Sequence, residues 1–204
     1  MKNTSTFRVV LTALFAALVC VATMTIRIPS PTGGYLNLGD GIVLLSAFLL
    51  GPVYGTLAAG VGSMLADLLS GYPAYAPGTL AVKALTALLA AWLYRRAFPG
   101  RGPVLRIVTA GVCGELLMAL GYFAYTGVVL GYGLAAAAEI PGNLAQGAAG
   151  VAVAALLTPA LLGSREIREM VEKVREWGVG VTTYSVSPTG CHLPLKGKAC
   201  TGQS

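Results

Sequence analysis

Six apolar runs with almost no charged residues constrain this chain more than any other feature. They cover about residues 7–26, 41–50, 52–70, 78–94, 104–128 and 141–162. A helix needs about 20 mostly apolar residues to cross a bilayer, and fewer where neighbouring helices cover it. Only 11% of the residues are charged, against about 25% in soluble domains, so most of the surface must face lipid. The sequence therefore predicts an all-α polytopic membrane protein, a six-transmembrane-helix bundle.

Three regions follow from this pattern. Residues 1–164 are predicted to form the six-helix transmembrane domain, and the first run is interpreted as a retained helix because no signal-peptide cleavage site follows it. Residues 165–177 place apolar side chains at helical spacing with charges opposite, which predicts an amphipathic helix at the inner membrane interface; a contact with a partner protein is the alternative. Residues 178–204 show no periodicity and are predicted to be disordered.

The basic residues predict the orientation of the bundle. With both termini in the cytoplasm, 12 of the 14 Lys and Arg residues fall on the cytoplasmic side. Arg27 lies outside and Lys83 lies within a helix. Because cytoplasmic loops carry the excess of Lys and Arg, the N- and C-termini are predicted to be cytoplasmic and the loops 27–40, 71–77 and 128–140 to face outward.

The charge distribution and the absence of certain motifs from the sequence disfavour several function classes. The net charge of +6 is spread between apolar runs as in membrane proteins, so no nucleic-acid partner is predicted. No phosphate-binding Gly-rich loop with Lys-Ser/Thr occurs, so ATP hydrolysis by that route is not expected. Cys20 and Cys113 are interpreted as packing residues. The spacing of Cys191, His192 and Cys200 in the tail is only weak evidence for a metal site. Neither a metal nor a cofactor is predicted.

Polar side chains inside the membrane are the candidate functional residues. An ionisable group at the bilayer centre costs about 2.5–3.5 kcal/mol by insertion scales, so each needs an explanation. The candidates are Asp67, Lys83, Glu115, Asn143 and Gln146, with Asp40, at the outer start of the second helix, and Glu139 judged less buried.

Most of these residues fall in the outer half of the membrane, which favours an outward-open pocket over a channel. At about 1.5 Å per residue, Lys83 lies about 7–8 Å below the outer start of its helix, while Glu115 lies near the midplane. Alternatives remain: Lys83 snorkelling outward or pairing with Asp67 or Glu115, and amide side chains acting only as interhelical contacts. The tyrosines near the outer loops, Tyr75 and Tyr122 among them, form an aromatic belt or stack on a flat ligand.

An ordered set of motifs resembles a known family. "LTALFAALVCVAT", "LNLGDGIVLLSAFLLGPVYGTLAAGVGSMLADLL", "YAPGTLAVKAL" and "EIPGNLAQGAAG" are similar to the S components of energy-coupling factor (ECF) vitamin transporters, in the riboflavin-transporter-like group. The likeness covers about residues 6–165. It implies a plasma-membrane protein that captures a vitamin at its outer face and works with a transmembrane T component and two ATPases.

The resemblance also implies roles for particular residues. Ala13 and Ala17 fit the Ala-x-x-x-Ala pattern that contacts the T component, with Ala16 adjacent; internal packing is the alternative. Residues 27–39 correspond to the family's lid loop, with Tyr35 and Asn37 facing the ligand. Riboflavin and pyridoxine- or hydroxymethylpyrimidine-like ligands all remain open, either neutral or bearing a phosphate or carboxylate.

Two other classes compete with transport. A structural or assembly subunit without a ligand needs only the small residues Ala13, Ala16 and Ala17 on the first helix, which we call the alanine strip. A membrane enzyme needs Glu115 or Asp67 as acid or base, together with a nucleophile or metal cluster that the sequence does not show.

Overall fold

The protein is a bundle of long apolar helices, as predicted. The computed structural model describes residues 3–96, 100 and 102–175. Its helices are α1 (Asn3–Thr25), α2 (Asp40–Ser70), α3 (Ala76–Arg96), α4 (Pro103–Ala124), α5 (Ile140–Gly163) and α6 (Arg165–Arg175). Among these described residues, five helical segments are long and apolar enough to cross a membrane. A π-helical turn (Tyr125–Val129) and a 3₁₀ segment (Gly133–Glu139) connect α4 to α5.

Helix α2 contains the second and third predicted spans, joined at a sharp bend. The helix is broken at Gly51, whose φ of +84° and ψ of −171° are not helical. The Ser46 hydroxyl donates a hydrogen bond to the Gly55 carbonyl at 3.2 Å, a contact that a straight helix does not allow. The chain therefore bends sharply at Gly51 into two arms, 40–50 and 52–70, which correspond to the second and third predicted spans.

The break at Gly51 gives a testable prediction about stability. Its backbone conformation is one that only glycine adopts readily, and an added Cβ would overlap the Arg95 guanidinium. We expect Gly51→Ala to destabilise the protein by about 1–3 kcal/mol, measured as the thermal midpoint in detergent. Gly163→Ala is the matched control, because nothing lies within 4 Å of an added Cβ there. Equal midpoints for the two variants would show that the break is not strained.

A small hairpin covers one end of the bundle. Strands β1 (Arg27–Pro29) and β2 (Tyr35–Asn37) pair antiparallel, with Ile28 opposite Leu36. Two strands of three residues are marginally stable by themselves in water, so contacts with the bundle must hold this hairpin. The hairpin is preceded by α1 and followed by the first arm of α2, and we call this end of the molecule the hairpin end.

Small residues allow the helices to approach closely. Gly62 on α2 packs against the Ala16 carbonyl on α1, and Gly114 on α4 packs against the Thr86 carbonyl on α3. A Cβ at either position would meet those backbones. Lipid gives helices no hydrophobic reason to associate, so close backbone packing of this kind supplies much of the attraction.

Helix α6 lies at the opposite end and packs on the bundle. Its Val171 and Val174 are buried against residues of α1 and α2. The Arg8 guanidinium donates two hydrogen bonds to the Lys173 carbonyl, at 3.2 and 3.0 Å. Helix α6 thus places its apolar side chains Val171 and Val174 against protein. The last two residues of the predicted 165–177 segment and the tail predicted at 178–204 lie outside the described residues.

Candidate functional site

A buried ion pair lies at the centre of the candidate site. The Lys83 ammonium on α3 donates to Asp40 Oδ1 at the start of α2, and the two side chains are only 2% and 1% exposed. This burial shows that the sequence-based view of Asp40 as less buried is wrong. Lys83 does not snorkel: it is buried and paired.

Gln146 connects this ion pair to the hairpin. Its Nε2 donates to Asp40 Oδ2 at 2.6 Å, and its Oε1 accepts the backbone N–H of Asn37 at 2.7 Å. One amide thereby satisfies a buried carboxylate on one side and a strand β2 donor on the other. Gln146 thus forms a continuous hydrogen-bonded path from the hairpin to the Lys83–Asp40 pair.

Asp67 lies beside the ion pair and receives a second contact from the hairpin. The Tyr35 hydroxyl donates to Asp67 Oδ1 at 2.6 Å. Burial and this neighbouring carboxylate raise the pKa of the Tyr35 phenol far above its ordinary value, so Tyr35 remains a donor at any physiological pH. Its ring also lies 4.8 Å from that of Tyr72, centroid to centroid.

The ring of Tyr122 forms part of the wall next to Lys83. The Lys83 ammonium lies 5.5 Å from the centroid of this ring, within the range of a cation–π interaction. The Tyr122 hydroxyl donates to Thr79 Oγ1 at 3.0 Å. The aromatic face is therefore fixed in orientation by a hydrogen bond at its polar end.

Two further contacts fasten the tip of the hairpin. The Ser30 hydroxyl donates to Glu139 Oε1 at 2.6 Å, while Thr126 donates to the other oxygen of Glu139 at 3.2 Å. The Tyr75 hydroxyl donates to the Thr32 carbonyl at 2.9 Å, and burial raises the pKa of Tyr75. Glu139 is only 6% exposed, so its description from sequence as less buried is also wrong.

These residues enclose a small cavity of about 30 Å³ roofed by the hairpin. A volume of about 10–15 Å³ on this scale holds one water molecule, so this partly open cavity has room for about two waters. The residues that line it are Thr23, Ser30, Gly34, Tyr35, Leu36, Asn37, Ser63, Asp67, Tyr75, Thr79, Lys83, Tyr122, Glu139, Asn143 and Gln146.

Eight of the nine residues predicted as substrate contacts line this one cavity. The exception is Glu115, which is 4% exposed and lines a separate groove between α4 and α5 with Leu116 and Leu144. The Glu115 side chain packs against Gly147. Neither of its carboxylate oxygens makes a hydrogen bond of standard geometry among the described residues, although the charges of Asp40 and Lys83 act on this carboxylate.

Seven residues that line the cavity were not predicted as substrate contacts from the sequence: Thr23, Ser30, Gly34, Leu36, Ser63, Thr79 and Glu139. Asp40, the partner of Lys83, was not predicted as one either. Ser63 and Thr79 are small hydroxyl residues in apolar helices, where nothing in a single sequence separates a cavity wall from a helix contact. Asp40 and Glu139 did carry a signal, since a carboxylate bordering an apolar run needs a partner.

The alanine strip on α1 is divided between two faces. Ala13 and Ala17 are exposed on the outside of the bundle, together with Leu14 and Leu18. Ala16 instead lies against Gly62 of α2. Among the described residues, no group of three or more His, Cys, Asp or Glu side chains is arranged to hold a metal ion.

Comparison with known proteins agrees with this architecture. Residues 3–162 match the family described as the S component of the ECF-type riboflavin transporter. An uncharacterised Pyrococcus woesei protein encoded in the gap 3′ region is 39% identical over 136 residues, 66% of this chain and 88% of the relative.

A solved structure has the same fold. It is described as the structure and mechanism of the S component of a bacterial ECF transporter, and it superposes with a TM-score of 0.60 at 23% identity. The match covers 78% of this chain and 97% of that one. With the family match spanning most of the sequence, the chain belongs to the S components of ECF-type riboflavin transporters.

Proposed function

We propose that this S component binds a riboflavin-like, or else a pyridoxine- or hydroxymethylpyrimidine-like, vitamin in the cavity under the hairpin. The observation that carries the proposal is the set of buried polar side chains gathered at the hairpin end. Lys83, Asp67, Asn143 and Gln146 are each at most 7% exposed and all line one cavity. Buried polar groups inside a membrane mark a substrate path by default, and the family is described by riboflavin transport.

Family membership and the apolar helices make the chain a multi-pass plasma-membrane protein and a transport subunit, not an enzyme. Its sequence has no phosphate-binding loop of the Gly-rich Lys-Ser/Thr type. We therefore propose that a T component and two ATPase subunits supply the energy for transport.

The proposed orientation places the hairpin end outside the cell. Arg8 and Arg106 lie at the other end of the bundle, near α6 and the end of α3. Since Lys and Arg accumulate on the cytoplasmic side, that end is proposed to face the cytoplasm, with both termini.

A vitamin enters only if the hairpin moves. Ligand pockets for small molecules measure about 300–1,000 Å³, far more than the 30 Å³ enclosed here. The hairpin is joined to the bundle mainly through side-chain hydrogen bonds from Tyr35, Ser30 and Tyr75 and through the Asn37 amide. Breaking these contacts opens the site without unfolding a transmembrane helix, so residues 27–39 are proposed to act as the lid.

The proposal is tested by identifying the ligand that purifies with the protein. The full chain is purified in mild detergent, and extracted small molecules are identified by mass spectrometry. The ligand-free protein is then titrated with riboflavin, pyridoxine and hydroxymethylpyrimidine. We expect one of them to bind with a Kd of about 1 μM or tighter, which corresponds to about −8 kcal/mol. Absence of binding by all three, with no copurified vitamin, would contradict the proposed function.

A further inference from the structure

The only cation that lines the cavity within the described residues is already neutralised. Lys83 is paired with Asp40, and both side chains are almost completely buried. An anionic ligand group would have to compete with the Asp40 carboxylate for the Lys83 ammonium, and a shared ammonium would face two anions with a single positive charge. The ammonium is therefore poorly available as an anion-binding group, although its presence in the sequence suggested one.

Two carboxylates, those of Asp67 and Glu139, also line the cavity. Both oxygens of Glu139 accept hydrogen bonds, from Ser30 and Thr126. Asp67 differs, because Oδ1 accepts the Tyr35 hydroxyl while no hydrogen bond to Oδ2 is made in the described part of the chain, although the Thr79 hydroxyl also interacts with this carboxylate.

A second unpartnered polar atom lies one turn away on the same helix. Ser63 is 1% exposed, lines the cavity, and its Oγ makes no hydrogen bond within the described residues. Residues four apart on a helix share a face, so Ser63 and Asp67 present an unused hydroxyl and an unused carboxylate oxygen side by side. Buried polar groups without partners are rare in folded proteins, and each calls for an explanation.

We propose, building on the function proposed above, that Asp67 and Ser63 bind a hydrogen-bond-donating N–H or O–H group of the vitamin and make the site selective for ligands without an anionic substituent. The unpaired oxygen of Asp67 accepts the ligand's hydrogen, and the Ser63 hydroxyl donates to or accepts from the same part of the ligand. A phosphate ester meets the Asp67 carboxylate with no free cation to offset it among the residues that line the cavity. The site is thus expected to bind the free vitamin more tightly than its phosphate ester.

The test compares each vitamin with its own phosphate ester on the full chain in detergent. Riboflavin with riboflavin 5′-phosphate and pyridoxine with pyridoxine 5′-phosphate are the matched pairs, and Kd is measured by calorimetry. We expect the free vitamin that binds to be favoured by about 30-fold or more, since like charges brought together in a binding site are strongly unfavourable. Asp67→Asn is expected to reduce this ratio about tenfold or more, because it removes the repelling charge and keeps an acceptor oxygen.

The outcomes separate this proposal from the proposed function. If a free vitamin binds but its phosphate ester binds equally well, or if Asp67→Asn leaves the ratio unchanged, the selectivity proposal is wrong and the transport function stands. If neither free vitamin binds the wild-type chain, the proposed ligand class itself is contradicted, and the selectivity proposal falls with it.

Ser63→Ala provides an independent test that does not depend on Asp67. We expect it to weaken binding of the free vitamin about fivefold to tenfold, the effect of one lost hydrogen bond, without lowering the thermal midpoint of the empty protein. Thr158→Val is the matched control, because Thr158 is also fully buried, with a hydroxyl that lacks a partner among the described residues, but lies away from the cavity. An unchanged Kd for Ser63→Ala, or an equal loss of affinity in both variants, would overturn the role of Ser63.

Discussion

Replacing Lys83 with methionine is expected to destabilise the protein by about 3–5 kcal/mol, because breaking one partner of a buried ion pair leaves the other charge uncompensated. Asp40 is 1% exposed, and the Gln146 amide remains as its side-chain hydrogen-bond donor once Lys83 is gone. At about 2–4 °C per kcal/mol for a chain of this size, the thermal midpoint in detergent should fall by about 10 °C. Vitamin binding should weaken at least about tenfold, since the link from Asp40 through Gln146 to the hairpin depends on this pair.

The double variant Lys83→Met with Asp40→Asn distinguishes loss of the charge from loss of the lysine side chain. It removes both charges together, and the amide oxygen of the introduced asparagine can still accept from Gln146. Replacing a whole buried ion pair by neutral groups is often close to neutral in stability, so the double variant should recover most of the lost midpoint. Lys173→Met is the surface control, because that side chain is exposed on α6.

A double variant no more stable than Lys83→Met would contradict the ion pair. So would a Lys83→Met protein of normal stability that has lost only its ligand affinity. In that second case, Lys83 would act as a direct ligand contact, which is the role that the sequence suggested for it.

The Lys83–Asp40 pair shows which structural features could be predicted from the sequence and which could not. Hydropathy predicted the six passes and placed Lys83, Asn143 and Gln146 together, because depth along a helix follows from counting residues. It did not predict that Asp40 is the partner of Lys83. That pairing depends on how α2, which is broken at Gly51, packs against α3. Pairing between side chains on separate helices is set by packing, which a single sequence does not contain.

The hairpin shows the same limit of prediction from a single sequence. The loop 27–39 was predicted to cover the site, with Tyr35 and Asn37 facing inward. Its strands of three residues carry too few residues for a periodic pattern to appear. The contacts that hold it, such as Tyr35 with Asp67 and Ser30 with Glu139, join residues more than thirty or a hundred positions apart. Glu115 differs from these residues. Its depth along the sequence predicted that it contacts the substrate, but its side chain lines the groove between α4 and α5.

Substitutions that block docking to a T component are expected to abolish vitamin uptake while leaving vitamin binding intact. Ala13 and Ala17 are exposed on α1 and lie outside the vitamin cavity. Small residues four apart let another transmembrane helix approach closely, and the described part of the bundle does not cover this face. We expect Ala13→Trp or Ala17→Trp to leave vitamin affinity of the isolated subunit unchanged, within about twofold. Uptake by cells that also express the T component and the ATPases should fall to background.

Two further substitutions make this result specific to the α1 face. Ala152→Trp is the matched control, since Ala152 is an exposed alanine on α5, and it should preserve both binding and uptake. Ala16→Trp should instead destabilise the subunit, because Ala16 packs against Gly62 within the bundle. Lost binding in Ala13→Trp would mean that the strip supports the fold. Normal uptake in both Ala13→Trp and Ala17→Trp would mean that the T component docks on a different face, because a bulky indole at the centre of a close helix contact cannot be accommodated without separating the helices.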